Sequence, residues 1–239
     1  MDILILQHSA GDSPAEAERA LRAMGHRLEI IRADQDEPIP ESVHADGVIA
    51  FGSPFSLASG TPKPWVAQEM NLLRRYVEND KHVLGICLGG QLLAKSMGAA
   101  VVKNRVPEVG WHVVSRVHES ADTAPPDVNL VVDSMPTEFT VLQWHQDTFE
   151  IPQGATHLFR SEACENQAFA LSNRAFGFQF HLEADERLVR LFMAVSDLPS
   201  QQGDFIQNEK SIRDGIEKHL AAQNGVLQSF LSTWLNCQP

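Results

Sequence analysis

The stretch that most constrains this chain is residues 82–98, which read HVLGICLGGQLLAKSMG. Its first five residues form a short apolar run, and beyond Cys87 apolar residues recur at helical spacing. The pattern predicts a strand, a tight turn at the cysteine and a helix. Such a turn, in the form G-x-C-x-G, holds a reactive side chain clear of the sheet, and it requires small neighbours, here Gly85, Gly89 and Gly90.

This position favours a chemical role for Cys87. The thiolate is the reactive form of cysteine, and the positive end of the helix that follows stabilises it. The alternative is that Cys87 is a small apolar residue packed beneath a helix, as most lone cysteines are. Three glycines at a strand–helix junction are costly without a reason, and they favour a catalytic nucleophile.

Composition limits the classes of function. The chain has 239 residues, of which 43% are hydrophobic, so it can bury one substantial α/β core. Its net charge of −12, with no run of basic residues, argues against a nucleic-acid or anionic-membrane partner. The chain starts in an apolar, strand-like segment without a basic leader, and no apolar stretch approaches the ~18 residues of a membrane helix. We therefore predict a cytoplasmic protein.

The cysteines predict a reducing compartment. Cys87, Cys164 and Cys237 are an odd number in a chain too large to depend on disulfides. None lies in a C-x-x-C pair, so neither a zinc ribbon nor a dithiol redox motif is available. We predict no metal and no cofactor, and we expect Cys164 and Cys237 to be inert.

The first part of the chain predicts a parallel sheet. Strands are expected at 3–6, 28–31 and 47–51, with a helix capped by Asp12 between the first two. Strand, helix, strand is typical of parallel βαβ units. Gly52-Ser53-Pro54 follows the third strand at its carboxyl end, where open α/β sheets bind ligands, although an ordinary loop is the alternative.

Beyond residue 60 the pattern changes from parallel units to antiparallel strands. A helix starts at Pro64, with an apolar stripe of Val66, Met70, Leu73 and Val77. A polar loop at 107–110 is expected between two strands, and a loop or short edge excursion at 120–137. The remaining predicted strands are 100–102, 111–117, 139–144, 156–160, 169–172 and 175–181, and the remaining helices are 184–195, 211–223 and 226–235, with a connection around Pro199.

The end of the last predicted strand offers partners for the cysteine. His181 and Glu183 are separated by one residue, so a continuing strand would put both on one face, ~6–7 Å apart. A carboxylate so placed fixes the tautomer of a histidine that acts as a base. Taken alone the pair is typical of a solvated strand end, but joined to the Cys87 turn it predicts a catalytic triad.

These two motifs together resemble the class I glutamine amidotransferases. The matching segments are Gly85 to Gln91 and, about ninety residues later, Gly177 to Glu183. Within that superfamily the chain looks most like free-standing proteins similar to the amidotransferase domain of GMP synthase. The resemblance covers about residues 1–195 and implies a flavodoxin-like fold, an open, mostly parallel sheet flanked by helices. Residues 196–239 are then a C-terminal helical extension packed on the same domain.

The resemblance also implies roles for individual residues. The family attacks a glutamine side-chain amide, forms a γ-glutamyl thioester and hydrolyses it. Cys87 would be the nucleophile, His181 the base and then acid, and Glu183 the group that orients it. The backbone amides of Gly52 and Leu88 match the oxyanion-hole positions. Substrate contacts are expected from Ser53 and Gln91 and from the Trp144-His145-Gln146-Asp147 segment, taken as a turn, where His145 is equally consistent with an ordinary loop histidine.

The chain departs from the family pattern at two places. The oxyanion loop is Phe51-Gly52-Ser53-Pro54 where two adjacent glycines are commoner, and the triad motif is His-Leu-Glu where His-Pro-Glu is usual. No P-loop and no G-x-G-x-x-G unit occurs, so nothing here activates an acceptor for ammonia. The predicted partners are therefore glutamine or a γ-glutamyl small molecule, and a synthetase or a second copy. The enzyme either hydrolyses a γ-glutamyl compound by itself or supplies ammonia to a partner.

Three rival interpretations stay open on the residues alone. A metal hydrolase would use His145 and Asp147 with His181 and Glu183 as ligands, which would leave the Cys87 turn unexplained. A redox or deglycase protein also carries a cysteine at such a turn, but without this His-x-Glu strand end. A non-catalytic regulatory subunit would be expected to lack a member of the triad.

Overall fold

A single nine-stranded sheet forms the centre of the computed structural model, which describes residues 1–9, 11–35, 37–61, 63–118, 124–196 and 203–237. The strand order is β2-β1-β3-β4-β9-β8-β7-β5-β6. The strands are β1 (Asp2–Gln7), β2 (Arg27–Arg32), β3 (Gly47–Ala50), β4 (His82–Ile86), β5 (Val101–Arg116), β6 (Glu138–Phe149), β7 (Thr156–Arg160), β8 (Ala168–Ser172) and β9 (Ala175–Phe178).

The first half of the sheet is parallel, as predicted. Strands β2, β1, β3, β4 and β9 pair in that order, all in parallel, which is the 2-1-3-4-5 order of flavodoxin-like folds. The central strands β3 and β4 are buried throughout, since both faces of a parallel sheet are covered by helices. The carboxyl ends of β3, β4 and β9 therefore meet at one edge, next to residues 52, 87 and 181.

The second half of the sheet is antiparallel, and here two predictions are wrong. The predicted loop at 107–110 lies inside β5, because pairing with β6 continues on both sides of a register shift between Lys103 and Glu108. The segment 144–147, predicted as a turn, lies inside β6 for the same reason. An irregularity within a long ladder leaves the strand intact, and local composition did not distinguish it from a turn.

Helices cover both faces of the sheet. They are α1 (Ala15–Ala23), α2 (Pro64–Glu78), α3 (Leu88–Ser96), α4 (Pro126–Val132), α5 (Glu186–Val195) and α6 (Glu209–Leu235). Helix α1 begins after Pro14 without a side-chain cap, so the predicted capping by Asp12 is wrong, and Asp12 accepts a hydrogen bond from Ser9 instead. Helix α4 occupies part of a predicted loop and packs Val128, Val131 and Val132 into the core.

Helix α2 turns a different face inward from the predicted stripe. Leu73 is fully buried, whereas Val66, Met70 and Val77 are only partly buried. The centre of the buried face consists of Glu69, Leu72, Leu73 and Tyr76. A buried carboxylate on this face is accommodated because Glu69 pairs with His8.

The C-terminal part is one helix of 27 residues where two were predicted. Gly225 lies in its interior, since a helix packed along one side tolerates a glycine. The apolar stripe 226–235 is buried in the same hydrophobic cluster as β1, β4 and β9, and Trp234 is fully buried. The division of the chain at residue 195 stays a prediction, and the predicted connection at Pro199 lies outside the described residues. Among the described helices, none is long and apolar enough to cross a membrane.

Candidate active site

The turn at Cys87 has the strained geometry that its sequence predicts. Cys87 adopts a φ of 52° and a ψ of −110°, an uncommon conformation for a non-glycine residue. Its N–H donates to Phe178 O at 2.8 Å, which ties the turn to the end of β9. A Cβ on Gly89 would lie 2.0 Å from Ala50 O, and one on Gly85 2.4 Å from Gly89 O. Backbone therefore approaches backbone here, and only glycine fits.

His181 and Glu183 meet beside Cys87 although β9 ends at Phe178. The His181 N–H donates to Leu142 O at 2.9 Å, so the antiparallel strand β6 holds the segment in place. His181 Nδ1 donates to Glu183 Oε1 at 2.9 Å, and the His181 ring is hydrogen-bonded to the Cys87 side chain. The arrangement cysteine, histidine, carboxylate is that of a nucleophile, a base and the group that orients the base.

The electrostatics of this cluster favour a charged histidine. Burial by itself lowers the pKa of His181, but the Glu183 carboxylate and the Cys87 side chain outweigh it and raise that pKa well above its ordinary value. Both neighbours stabilise the imidazolium. His181 is therefore protonated at neutral pH, and this is the state that pairs with a cysteine thiolate.

Two backbone N–H groups flank the cysteine. Gly52 follows β3, and Leu88 is the first residue of α3. A Cβ on Gly52 would lie 3.1 Å from His181 Cε1 and 2.8 Å from Asp12 Oδ1, so this glycine packs directly against the histidine. Within the described part of the chain, neither N–H donates a hydrogen bond. Both donors remain available to an oxyanion next to Cys87.

A cavity of about 510 Å³ opens at the cysteine. It contains Cys87 and Leu88, together with every residue for which a substrate contact was predicted, from the loop after β3, from α3 and from β6. Its lining consists of Ser53, Pro54, Phe55, Ser56, Cys87, Leu88, Gln91, Pro107, Val109, Trp144, His145, Gln146, Asp147 and Ile206. His181 and Glu183 lie outside this lining, and Cys87 is 6% exposed.

Hydrogen bonds link the walls of the cavity to the cysteine. Gln91 Nε2 donates to Asp147 O at 3.3 Å and to Gln179 Oε1 at 3.1 Å, and Gln179 Nε2 lies 3.7 Å from Cys87 Sγ. The Asp147 carboxylate accepts from Ser56 Oγ at 2.6 Å, which ties the loop after β3 to β6. The polar side of the cavity is thus preorganised around Cys87.

Sequence analysis missed a buried carboxylate behind this wall. Glu108 lies at the register shift of β5, fully buried, and its Oε2 is 3.3 Å from His145 Nε2 and accepts from Gln167 Nε2 at 2.7 Å. His145 Nδ1 donates to Asp147 O at 2.9 Å. His145 is therefore held in the wall by two partners. A lone acidic residue before Gly110 and Trp111 in an apolar run was the available signal.

A second buried pair supports the loop after β3. His8 Nε2 is 2.6 Å from Glu69 Oε2, and His8 Nδ1 donates to Phe51 O at 3.1 Å. The ring stacks on Trp65 at 4.8 Å between centroids. Burial tends to lower the pKa of His8, but Glu69 and the backbone carbonyls raise it above the ordinary value. This charged pair anchors the carboxyl end of β3 directly before Gly52.

The four residues of the alternative metal site do not converge. His181 faces Glu183, whereas His145 faces Glu108 and Asp147 faces Ser56. Among the described residues, no group of three His, Cys, Asp or Glu side chains is arranged to hold a metal ion.

The residues of this site fall within one family match. A sequence model of the family described as Glutamine amidotransferase class-I matches residues 15–192. The chain belongs to this family. The match includes the Cys87 turn as well as His181 and Glu183, and it confirms the predicted resemblance. Residues after 192, including Ile206 in the cavity wall, lie outside it.

Individual relatives agree with that placement. The chain is 27% identical to the glutamine amidotransferase-like protein YfeJ of Salmonella typhimurium, covering 77% of this chain and 76% of that protein. It is 29% identical to one subunit of the glutamine-hydrolyzing GMP synthase of Thermoplasma acidophilum, over 70% and 76%. It is 22% identical to Gamma-glutamyl peptidase 3 of Arabidopsis thaliana, over 78% and 74%.

The fold agrees with a solved structure of the same family. A glutamine amidotransferase from Methylobacillus flagellatus superposes with a TM-score of 0.87 and 28% identity. The superposition covers 98% of this chain and 94% of that one, so it includes the antiparallel half of the sheet and the C-terminal helix.

Proposed function

We propose that this protein hydrolyses the γ-amide of glutamine, or of a γ-glutamyl compound, with Cys87, His181 and Glu183 as a catalytic triad. The observation that carries the proposal is the contact of His181 with both Cys87 and Glu183 at the mouth of a cavity. No other cysteine of the described residues has such a setting, since Cys164 pairs with Thr148 and Cys237 with Thr233 O.

The reaction follows from the charges in the site. The Cys87 thiolate attacks the γ-carbonyl carbon, and the carbonyl oxygen becomes an oxyanion that accepts from the N–H groups of Gly52 and Leu88. The His181 imidazolium donates its proton to the nitrogen, the C–N bond breaks, and ammonia or an amine leaves a γ-glutamyl thioester. Water then attacks the thioester with neutral His181 as base, and glutamate and the thiolate are released.

The remaining predicted site residues are assigned to substrate binding. Gln91 and the segment 144–147 form the polar side of the cavity, where the α-amino and carboxylate ends of the substrate are expected. Ser53 lines the same cavity beside Gly52. Support for this assignment is that all six residues concerned, Ser53, Gln91, Trp144, His145, Gln146 and Asp147, line one cavity with Cys87.

Two modes of action use the same triad. A self-sufficient γ-glutamyl hydrolase is favoured by the similarity to a Gamma-glutamyl peptidase. An ammonia-supplying protein that works with a synthetase, or a paired copy, is favoured by the similarity to a separate subunit of a GMP synthase. We prefer the hydrolase, because the apolar stripe of α6 that was a candidate docking face is already buried in the protein's own core.

The test is glutamate release by the purified protein from glutamine and from a panel of γ-glutamyl amides and peptides, with Cys87→Ala as the blank. We expect at least one compound to be turned over above the blank. A glutamine-mimicking diazo-ketone should label one cysteine, Cys87. If no compound is turned over until a co-purifying protein is added, the self-sufficient mode is wrong, and labelling chiefly at Cys164 or Cys237 would contradict the site itself.

A further inference from the structure

A short strap of residues 203–208 closes one side of the cavity. It runs beside β5 as an isolated parallel bridge between Ile206 and Val109. Val109 N–H donates to Phe205 O at 2.9 Å, and Gln207 N–H donates to Val109 O at 3.0 Å. The Gln207 side chain accepts from Trp111 N–H at 3.0 Å and donates to Trp111 O at 2.7 Å. Four hydrogen bonds therefore hold the strap to the sheet.

The strap completes an apolar wall. Trp144 of β6 is paired with Val109 of β5, and Val109 is bridged to Ile206, so three apolar side chains come from three adjacent segments. All three line the cavity and pack in one hydrophobic cluster. The opposite side, with Ser53, Ser56, Gln91 and Asp147, is polar. The cavity thus has two chemically different halves.

The apolar wall lies on the histidine side of the cysteine. The Phe192 ring contacts both the His181 ring, at 5.0 Å between centroids, and the Trp144 ring, at 5.3 Å. In the proposed reaction His181 protonates the departing nitrogen, so that nitrogen must lie on the same side. A group attached to it is directed along Trp144 toward Val109 and Ile206.

The size of the cavity agrees with a substituted substrate. Its volume of about 510 Å³ lies in the ~300–1,000 Å³ range of pockets that bury drug-sized ligands, which are larger than one amino acid. The polar half accommodates the glutamyl group. The rest of the space is left to a further group.

From these contacts we propose that the strap, through Ile206, selects γ-glutamyl substrates that carry an apolar amine or amino acid on the γ-nitrogen. This specificity rests on the proposed function, and it deepens it by naming the leaving group. Ile206 acts as a specificity-determining residue, because it contacts the departing group and not the reacting atoms.

The experiment compares γ-glutamyl-phenylalanine with γ-glutamyl-glycine in the full chain. We expect kcat/KM to favour the phenylalanine compound by about tenfold or more in the wild type, and Ile206→Asn to lower that ratio about tenfold. Ile206→Val should keep the ratio within about twofold, since it retains an apolar contact. The matched control is Val113→Asn, the same kind of change on β5 at an exposed site outside the cavity, and it should also keep the ratio. A wild type without preference, or an Ile206→Asn variant with the wild-type ratio, overturns the proposal.

Binding separates this proposal from the chemistry. Calorimetry of γ-glutamyl-phenylalanine and γ-glutamyl-glycine with Cys87→Ala, and with Cys87→Ala combined with Ile206→Asn, measures the selection without turnover. If the wild type turns over nothing, the proposed function fails, while a preference in binding that Ile206→Asn removes still supports the strap. If binding shows no preference, the specificity proposal is wrong whether or not glutamine is hydrolysed.

Discussion

His82 and His181 are both buried, yet their surroundings give them opposite charge states. His82 begins β4, and its Nε2 donates to Trp234 O at 3.1 Å. Burial, reinforced by Arg174, lowers the pKa of His82 to about 4. For His181 the same effect of burial is outweighed by Glu183 and Cys87, and the pKa rises well above its ordinary value. Partners, and not depth, decide whether a buried histidine is charged, and only the charged one lies beside a nucleophile.

The largest effect is expected at the other end of β4. Cys87→Ala should lower glutamate release about 10³-fold or more, since the nucleophile is lost, and leave the thermal midpoint within about 2 °C. The matched control is Cys164→Ala. Cys164 is buried, and burial raises the pKa of its thiol to about 11, so this change should cost stability but leave activity within about twofold. Equal losses of activity in both variants would contradict the difference between the two cysteines.

The second prediction removes the partner of His181. Glu183→Gln keeps the shape and deletes the charge, and we expect about 10²-fold lower kcat/KM because the imidazolium is less stabilised. His181→Ala should approach the loss of Cys87→Ala. The double variant should be no worse than His181→Ala, because the two residues act as a unit. Additive losses in the double variant would mean that they act independently.

The same variant has a pH signature. Glu183 raises the pKa of His181, so His181 holds its proton to higher pH than an ordinary histidine, and activity should fall as pH rises through that raised pKa. In Glu183→Gln the pKa of His181 falls, so this alkaline limb should move to lower pH. The pH profile of kcat/KM from pH 5 to 10 measures the shift. An alkaline limb that stays in place would show that Glu183 does not hold the charge on His181.

The third prediction concerns stability and has the opposite sign. The folded pKa of His82, about 4, lies below its ordinary value of 6.5. The unfolded chain therefore binds the proton first, and stability is lost as pH falls from about 6.5 toward 4, by up to about 3 kcal/mol. His82→Gln retains a donor for Trp234 O without titrating, so its urea unfolding free energy should fall less between pH 7 and pH 4.5. Parallel curves for the two proteins would refute the assignment.

The smallest effect sharpens the comparison with an exposed pair. His44 Nε2 lies 2.9 Å from Glu29 Oε2, the same separation as in the triad, but the His44 side chain is 39% exposed. Glu29 raises the pKa of His44, and water screens most of the interaction. Glu29→Gln should change the unfolding free energy by about 0.5 kcal/mol or less. Proton NMR of His44 would follow the accompanying fall of its pKa, and a stability loss comparable to that of a buried pair would be inconsistent with screening.

Local patterns predicted the parallel half of the molecule well. The strand before the cysteine was predicted at 82–86 and is found at His82–Ile86, and the glycines that follow mark α3. The β7 segment was predicted with its observed bounds. Such elements carry their own signal, because an apolar run that is buried on both faces and ends in glycine has few alternatives.

Predictions failed where pairing overrides local signals. Residues 107–110 and 144–147 read as loops, and each lies in a long strand because it is paired with the other. The two predicted C-terminal helices are one, since the continuous core contact of α6 carries the chain through Gly225. Asp12 reads as a helix cap, but it bonds Ser9 and packs against Gly52.

By itself the sequence determined the chemistry that is available: one cysteine at a glycine-lined turn, a His-x-Glu pair downstream, and a mostly parallel sheet to carry them. The tertiary structure decided where these groups meet, since His181 reaches Cys87 through a bond to β6 and not through a continuing strand. It also decided that Glu108 and Ile206 take part in the cavity wall. The physical reason is that periodicity records which side of an element is buried, whereas contacts between distant segments depend on strand register and on the charges that burial leaves paired.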